Sequence, residues 1–328
     1  MTYRLDVAAP LGREVRRVAL AEIDAAIDEL RTVSRTRRKG FHLARKRFKK
    51  LRGLLRLIRG HDRRFYRDMN GRLRDVARAL ADMREASALV ETVDRFRHEF
   101  ADAGEDGSLD RIRVALVRRM RAASDNSGGV RKRARDAVSA CRRIRKRFAA
   151  LDMPADRARS RKIVRHGLER ERARACAALS DANAFARTED FHELRKSVKY
   201  HWMHDRLLPR RFTGHASGRR AALKSLGEML GELNDIGVMR DLIDRKGTKL
   251  AADADIAFFM SLLDRKEHEL RASTVAEAGA LFADPVDERA RIRPHRRRDR
   301  STARSGRAGA RDGTARKSGK VQMPGNMS

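Results

Sequence analysis

Apolar residues recur at helical spacing along most of the chain, and residues 41–58 (FHLARKRFKKLRGLLRLI) show it best. At about 100° per residue, Ala44, Phe48, Leu51, Leu54, Leu55 and Ile58 gather on one side of a helix. His42, Arg45, Lys49, Arg52 and Arg56 fall in a narrow strip on another side. The same period predicts helices over 10–31, with Pro10 at the start, then 61–100 with an interruption near 83–86, 109–123 and 130–151. Further helices are expected over 158–179, 191–208, 219–232, 236–245 and 253–282. Gly40 reads as the break before the first basic helix, and Gly60 and Pro209 as stops. Loops are expected at 103–110, 124–129, 151–156 and 210–218, with a short acidic break at 233–235. Beyond 284 the period stops, and an Arg-, Gly-, Ala- and Ser-rich stretch to 328 reads as a disordered basic tail. With 6 prolines, 5% aromatics and few β-branched runs, the fold class is all-α.

The basic helix occurs twice. FHELRKSVKYHWMHDRLL, residues 191–208, repeats 41–58 at a displacement of 150. Phe41 meets Phe191, His42 meets His192, Arg45 meets Arg195, Lys46 meets Lys196, Lys49 meets Lys199 and Arg56 meets Arg206. Downstream, RALADMREASAL lies over EMLGELNDIGVM, so that Leu80 meets Leu230, Asp82 meets Glu232 and Glu85 meets Asp235. Such a repeat implies two similar halves, about 10–152 and 153–283, within a helical domain spanning 1–283. The second copy departs at Tyr200 and Trp202, where the first has Lys50 and Arg52, and at Asn234, where the first has Arg84.

Charge narrows the partners. The chain has 78 Lys and Arg against 45 Asp and Glu, a net +33. So much like charge in one fold repels itself, which suits a polyanionic partner. Nucleic acid, an anionic membrane and inorganic polyphosphate all qualify on composition. Cys141 and Cys176 have no metal-ligand spacing and read as reduced thiols. No apolar run nears the roughly 18 residues of a membrane span, and the N-terminus lacks a signal-peptide core. The expected location is the cytoplasm.

HLARKRFK at 42–49 and HELRKSVK at 192–199 share an H-x-x-R-K-x-x-K motif at the head of a basic helix. Each is followed about 40 residues later by an acidic stretch, DMRE at 82–85 and ELND at 232–235. In this the chain resembles the CHAD family, the conserved histidine α-helical domain, over about residues 10–283. The resemblance implies two pseudo-symmetric four-helix bundles and basic helices lining a central cationic groove. It also implies binding of inorganic polyphosphate, and association with polyphosphate granules in some members. Some relatives carry a triphosphatase β-barrel marked by E-x-E-x-K. Here Glu169-Arg170-Glu171-Arg172-Ala173 lacks the lysine and lies on a helix, so neither the barrel nor its catalysis is expected.

The residue types suit that ligand. Polyphosphate offers no base edges, only charge density and spacing. Arg gives planar bidentate contacts to phosphate oxygens and Lys gives mobile point charges. At intervals of 3 and 4 residues they make a ladder of cations about 4.5–6 Å apart along a helix. The candidate ligand-binding set is His42, Arg45, Lys46, Lys49, Lys50, Arg52 and Arg56, with His192, Arg195, Lys196, Lys199 and Arg206. The two histidines would donate to phosphate when neutral and add charge when protonated. Glu85 and Asp235 read either as carboxylates holding the crowded cations or as caps at a helix break. Neither a metal cage, a Walker loop nor a nucleophile–base pair is present, so no cofactor, metal or catalysis is expected. The competing reading is sequence-non-specific nucleic-acid binding. No zinc spacing, helix-turn-helix signature or aromatic RNP motif supports it.

Overall fold

The computed structural model describes residues 3–6, 8–33, 39–80, 82–101, 107–124, 127–209, 218–246 and 250–282. The expected tail lies outside the described residues, as do the side chain of Glu85 and most of the loops at 103–110 and 210–218. Ten helices and no strand occur among the described residues: α1 Leu11–Arg31, α2 Lys39–Ile58, α3 Arg63–Ala79, α4 Asp82–Glu99 and α5 Ser108–Ser124 form the first five. The others are α6 Ser127–Ala149, α7 Arg157–Phe185, α8 Thr188–Leu207, α9 Arg219–Lys246 and α10 Asp253–Phe282. The all-α class stands.

Local chemistry sets several of these ends. Asp62 accepts from the N–H groups of Arg64 and Phe65, both at 2.8 Å, and so satisfies orphan donors at the head of α3. Asp156 does the same for α7 by accepting from the Arg159 N–H at 2.7 Å. α7 runs past the expected end near 179 and stops where Ala186 turns left-handed, at φ 51°. A side chain there costs roughly 1–2 kcal/mol relative to the right-handed region, and the Ala186 N–H bonds the Ala182 carbonyl at 3.2 Å to close the helix end.

The apolar faces build two cores. The first unites α1, α2, α3 and α6, with Tyr3 and Leu5 and the C-terminal end of α8. Phe65 of α3 meets Phe148 of α6 edge-on at 5.3 Å. The second unites α4, α5, the later part of α7, the first turns of α8, α9 and α10. Phe96 of α4 meets Phe259 of α10 edge-on at 5.5 Å. The repeat halves are therefore not the packing units: α4 and α5 precede the joint at 151–156 yet bury their faces in the second core. Around the first bundle, α1 and α3 each pack against both α2 and α6, which leaves α2 and α6 on the diagonal.

Three local expectations need correction. Gly40 is not a break. It lies inside α2, where a Cβ would stand 2.2 Å from the Glu29 carbonyl oxygen of α1, so the residue permits a close helix contact. The break expected at 233–235 is absent, and α9 runs unbroken from Arg219 to Lys246. Leu230, Leu233, Ile236 and Met239 keep the buried period straight through the acidic stretch, and no proline interrupts it. Lastly, the interruption near 83–86 comes earlier, at the turn of Leu80 between α3 and α4.

Gly167 marks the tightest helix crossing. A Cβ there would lie 2.1 Å from the Leu57 carbonyl oxygen of α2. Replacing Gly167 by alanine is expected to destabilise the fold by about 1–3 kcal/mol through overpacking. Gly71→Ala on α3, where nothing lies within 4 Å, should instead be neutral or stabilising by about 0.5–1 kcal/mol. Thermal melts followed by circular dichroism compare the two. Equal melting temperatures would remove the argument.

Candidate functional site

The two motif helices touch. Gly53 of α2 lies against Met203 of α8, and His204 Nε2 donates to the Gly53 carbonyl oxygen at 2.9 Å. Under the 150-residue displacement Gly53 and Met203 are equivalent positions. Further along α2, the Arg56 guanidinium covers the Tyr200 ring at 4.1 Å. On the other side of the contact, Tyr3 donates to the Lys50 carbonyl at 2.8 Å, and the neighbouring Leu5 N–H donates to Leu207 O at 2.8 Å. Partner numbers on α8 fall as those on α2 rise, so the two helices run antiparallel through their C-terminal halves.

The α2 cations have different surroundings. Arg45 Nη1 donates to the Ala77 carbonyl at 2.6 Å and Arg52 Nε to Asn70 Oδ1 at 2.9 Å, which anchors both to α3. His42 and Lys49 are half-buried and Lys46 is exposed. Lys50 turns towards α1, where it pairs with Glu22 at 2.8 Å and lies over the Tyr3 ring at 5.1 Å. Arg56 is buried and its Nη1 reaches both carboxylate oxygens of Glu171 at 3.0 Å. Burial alone would lower the Arg56 pKa, but Glu171, with Tyr200 and Tyr66, outweighs it and the pKa is raised. Two members of the candidate ligand-binding set, Lys50 and Arg56, are thus engaged with carboxylates of the bundle itself.

On α8, His192 Nδ1 bonds Asn234 Oδ1 of α9 at 3.0 Å. Partial burial, then the charge of Lys196, holds the His192 pKa below the ordinary histidine value, against the pull of Asn234. Lys196 is exposed and pairs with Glu193 at 2.6 Å. Arg195 and Lys199 are half-buried, and Arg206 is exposed over the Trp202 ring at 4.7 Å. A cleft of about 650 Å³ opens beside His192 and Lys196, walled by Asn234, Arg240 and Arg271 and by the carboxylates of Asp241 and Glu267. Asp235 faces Arg95 of α4 at 3.6 Å, as does Glu232, and mid-helix it caps nothing.

Sequence reasoning missed three participants. Asn234, noted only as a departure from the repeat, is the partner of His192. Glu171, seen only as part of a failed barrel motif, holds Arg56 from 115 residues away. His204 had no assigned role, yet it is fully buried at the helix contact. Burial keeps its pKa low, and burial together with the nearby His204 pushes His201 down to about 3. No signal short of the tertiary contact would have paired them. Among the described residues no cluster of His, Cys, Asp and Glu could hold a metal ion, and no helix is long and apolar enough to cross a membrane.

The family model of the CHAD domain matches residues 17–244 of the chain. Neither the curated proteins nor the solved structures provide a match.

The buried pair yields a stability test that separates scaffold from ligand site. Glu171→Leu alone leaves Arg56 buried and unpaired and is expected to cost about 3–5 kcal/mol. The double change Arg56→Met, Glu171→Leu should recover most of that loss, because a well-packed apolar pair replaces a desolvated ionic one. Urea titrations of the two single variants and the double variant measure the coupling. A simple sum of the single effects would show that the pair is not a unit.

Proposed function

Because the chain belongs to the CHAD domain family, we propose that it binds inorganic polyphosphate, without altering it chemically, along the cations of its two motif helices. One observation carries this reading: α2 and α8 meet antiparallel at the repeat-equivalent positions Gly53 and Met203. A twofold relation between antiparallel helices has its axis perpendicular to both, so equivalent side chains face the same side of the pair. The strip of His42, Arg45 and Lys49 then continues into that of His192, Arg195 and Lys199. Each histidine stands about 16 Å along its helix from the contact, at about 1.5 Å per residue. The result is a run of cations about 30 Å long on one side of the pair. A linear polyanion fits such a run without any need for sequence readout.

Several features favour a tight grip. Arg45 and Arg52 are already held on α3, so less side-chain freedom is lost when phosphate arrives. Arg presents a fork to phosphate oxygens, and the half-buried setting weakens screening by salt. Lys50 and Arg56 act mainly as scaffold on this reading, since both are paired with carboxylates. A holder of polyphosphate of this kind would gather wherever that polymer is concentrated.

Reversing Arg45, Lys49, Arg195 and Lys199 to glutamate is expected to weaken polyphosphate binding by more than about tenfold, since each lost phosphate contact also lowers the salt slope by about 0.7–0.9. The same reversal of Arg296, Arg297, Arg298 and Arg300 should do far less. Duplex DNA should be released at lower salt than polyphosphate; equal retention would sink the specificity claim. Binding should also depend on pH. Free His192 has a lowered pKa and is neutral near pH 7, whereas adjacent phosphate stabilises its protonated form. Affinity should therefore rise as pH falls from 7 towards 5, and His192→Gln should flatten the profile. An unchanged slope in that variant would remove His192 from the contact.

A further inference from the structure

The outer face of α6 carries a second cationic surface that the motif helices do not account for. Val130, Ala134, Ala137, Cys141, Ile144 and Phe148 turn inward to the first core. About 130° around the helix from that apolar face, Arg131, Arg135, Arg142 and Lys146 are all exposed and lie within about 60° of one another. They span roughly 22 Å of helix length, at about 1.5 Å per residue. None of the four side chains forms an ion pair or hydrogen bond with another described residue. The cations at the edges of this face behave differently: Arg145 pairs with Asp24 of α1 at 2.7 Å and Arg147 with Asp68 of α3 at 3.8 Å. The bundle thus neutralises the margins of α6 and leaves its crest bare. Asp136 is the one carboxylate on α6, and it lies well off the crest.

The position of this crest matters as much as its charge. α2 and α6 stand diagonally across the first bundle, with α1 and α3 between them. A polyanion on the crest of α6 and one on the strip of α2 are therefore kept apart by the thickness of the bundle. We propose that the α6 crest is a second docking surface for polyphosphate, and that the protein thereby bridges two polyphosphate chains. This rests on the polyphosphate reading of the motif helices and adds a cross-linking activity to it. A bridge of this kind gains from multivalency: each chain offers many equivalent sites, so two moderate surfaces join chains far more firmly than either binds alone. Because the crest is exposed and salt-screened, it should be the weaker and more salt-sensitive of the two surfaces.

A sandwich assay tests this with the full chain. Protein is loaded on immobilised long-chain polyphosphate and washed, and a second, fluorescently end-labelled polyphosphate is then offered. Wild type should capture the second chain. Substituting Arg131→Gln, Arg135→Gln, Arg142→Gln and Lys146→Gln together should leave the amount loaded nearly unchanged but cut capture by about tenfold, through loss of the phosphate contacts. The substitutions are on a solvated face and in good helix formers, and far-UV circular dichroism checks that the helix content is kept. The variant with Arg296, Arg297, Arg298 and Arg300 replaced by glutamine should still capture. Failure of wild type to load would overturn the polyphosphate reading itself. Loading without capture, or capture undiminished in the α6 variant, would overturn the bridge alone. Capture lost only in the variant at 296–300 would move the second surface to that segment, and capture of duplex DNA in preference to polyphosphate would refute the occupant named here.

Discussion

The ion pair between Arg56 and Glu171 is the constraint on which the arrangement of the motif helices depends. Both charges are buried, and each is tolerable only because the other is there. The pair fixes where α7 crosses α2, at the same place where Gly167 lets the two backbones close on each other. α8 packs along α7, so fixing α7 lays α8 against α2 as well. Tyr200 and His204 complete the seam, one beneath the Arg56 guanidinium and the other on the Gly53 carbonyl. The two motif helices therefore meet over a joint whose buried charges cancel one another.

The net +33 is managed by position rather than by cancellation. Carboxylates such as Glu22, Asp24, Asp68 and Glu171 sit where helices meet and take up the cations that point sideways. The exposed ones among them, such as Arg145 with Asp24, contribute little stability, about 0–1 kcal/mol each. On the crest of α6, the side chains of Arg131, Arg135, Arg142 and Lys146 are left without such carboxylate partners among the described residues. Cys141, under that crest, is buried and its thiol is pushed up to about 12, which suits a core filler rather than a reactive group.

Much of the fold was legible because helical periodicity survives in a highly charged sequence. The apolar faces of α1, α2 and α8 could be read directly, and so could the doubling of the basic helix. The misreadings have physical causes. Gly40 looks like a terminator until a carbonyl of α1 is found where its side chain would be. The acidic stretch at 232–235 looks like a break, but Leu233 and Ile236 keep the buried period and the carboxylates find Arg95 on another helix. At the site, sequence placed Arg56 and Arg45 in one strip as equals. Tertiary contact separates them: Arg45 is tied to a carbonyl of α3, while Arg56 is sealed in the seam by a carboxylate far away in the chain. Periodicity tells which way a side chain faces along its own helix, and it is silent about what stands opposite.

The exchange of α4 and α5 into the second core reaches beyond packing. Cutting the polypeptide at the joint between the repeats would leave Val93, Phe96, Ile112 and Leu116 without neighbours on one fragment and an open groove on the other. Neither piece would be a stable inheritance on its own. The duplication visible in the sequence is therefore stitched into a single cooperative object, whose copies have lost the freedom to separate.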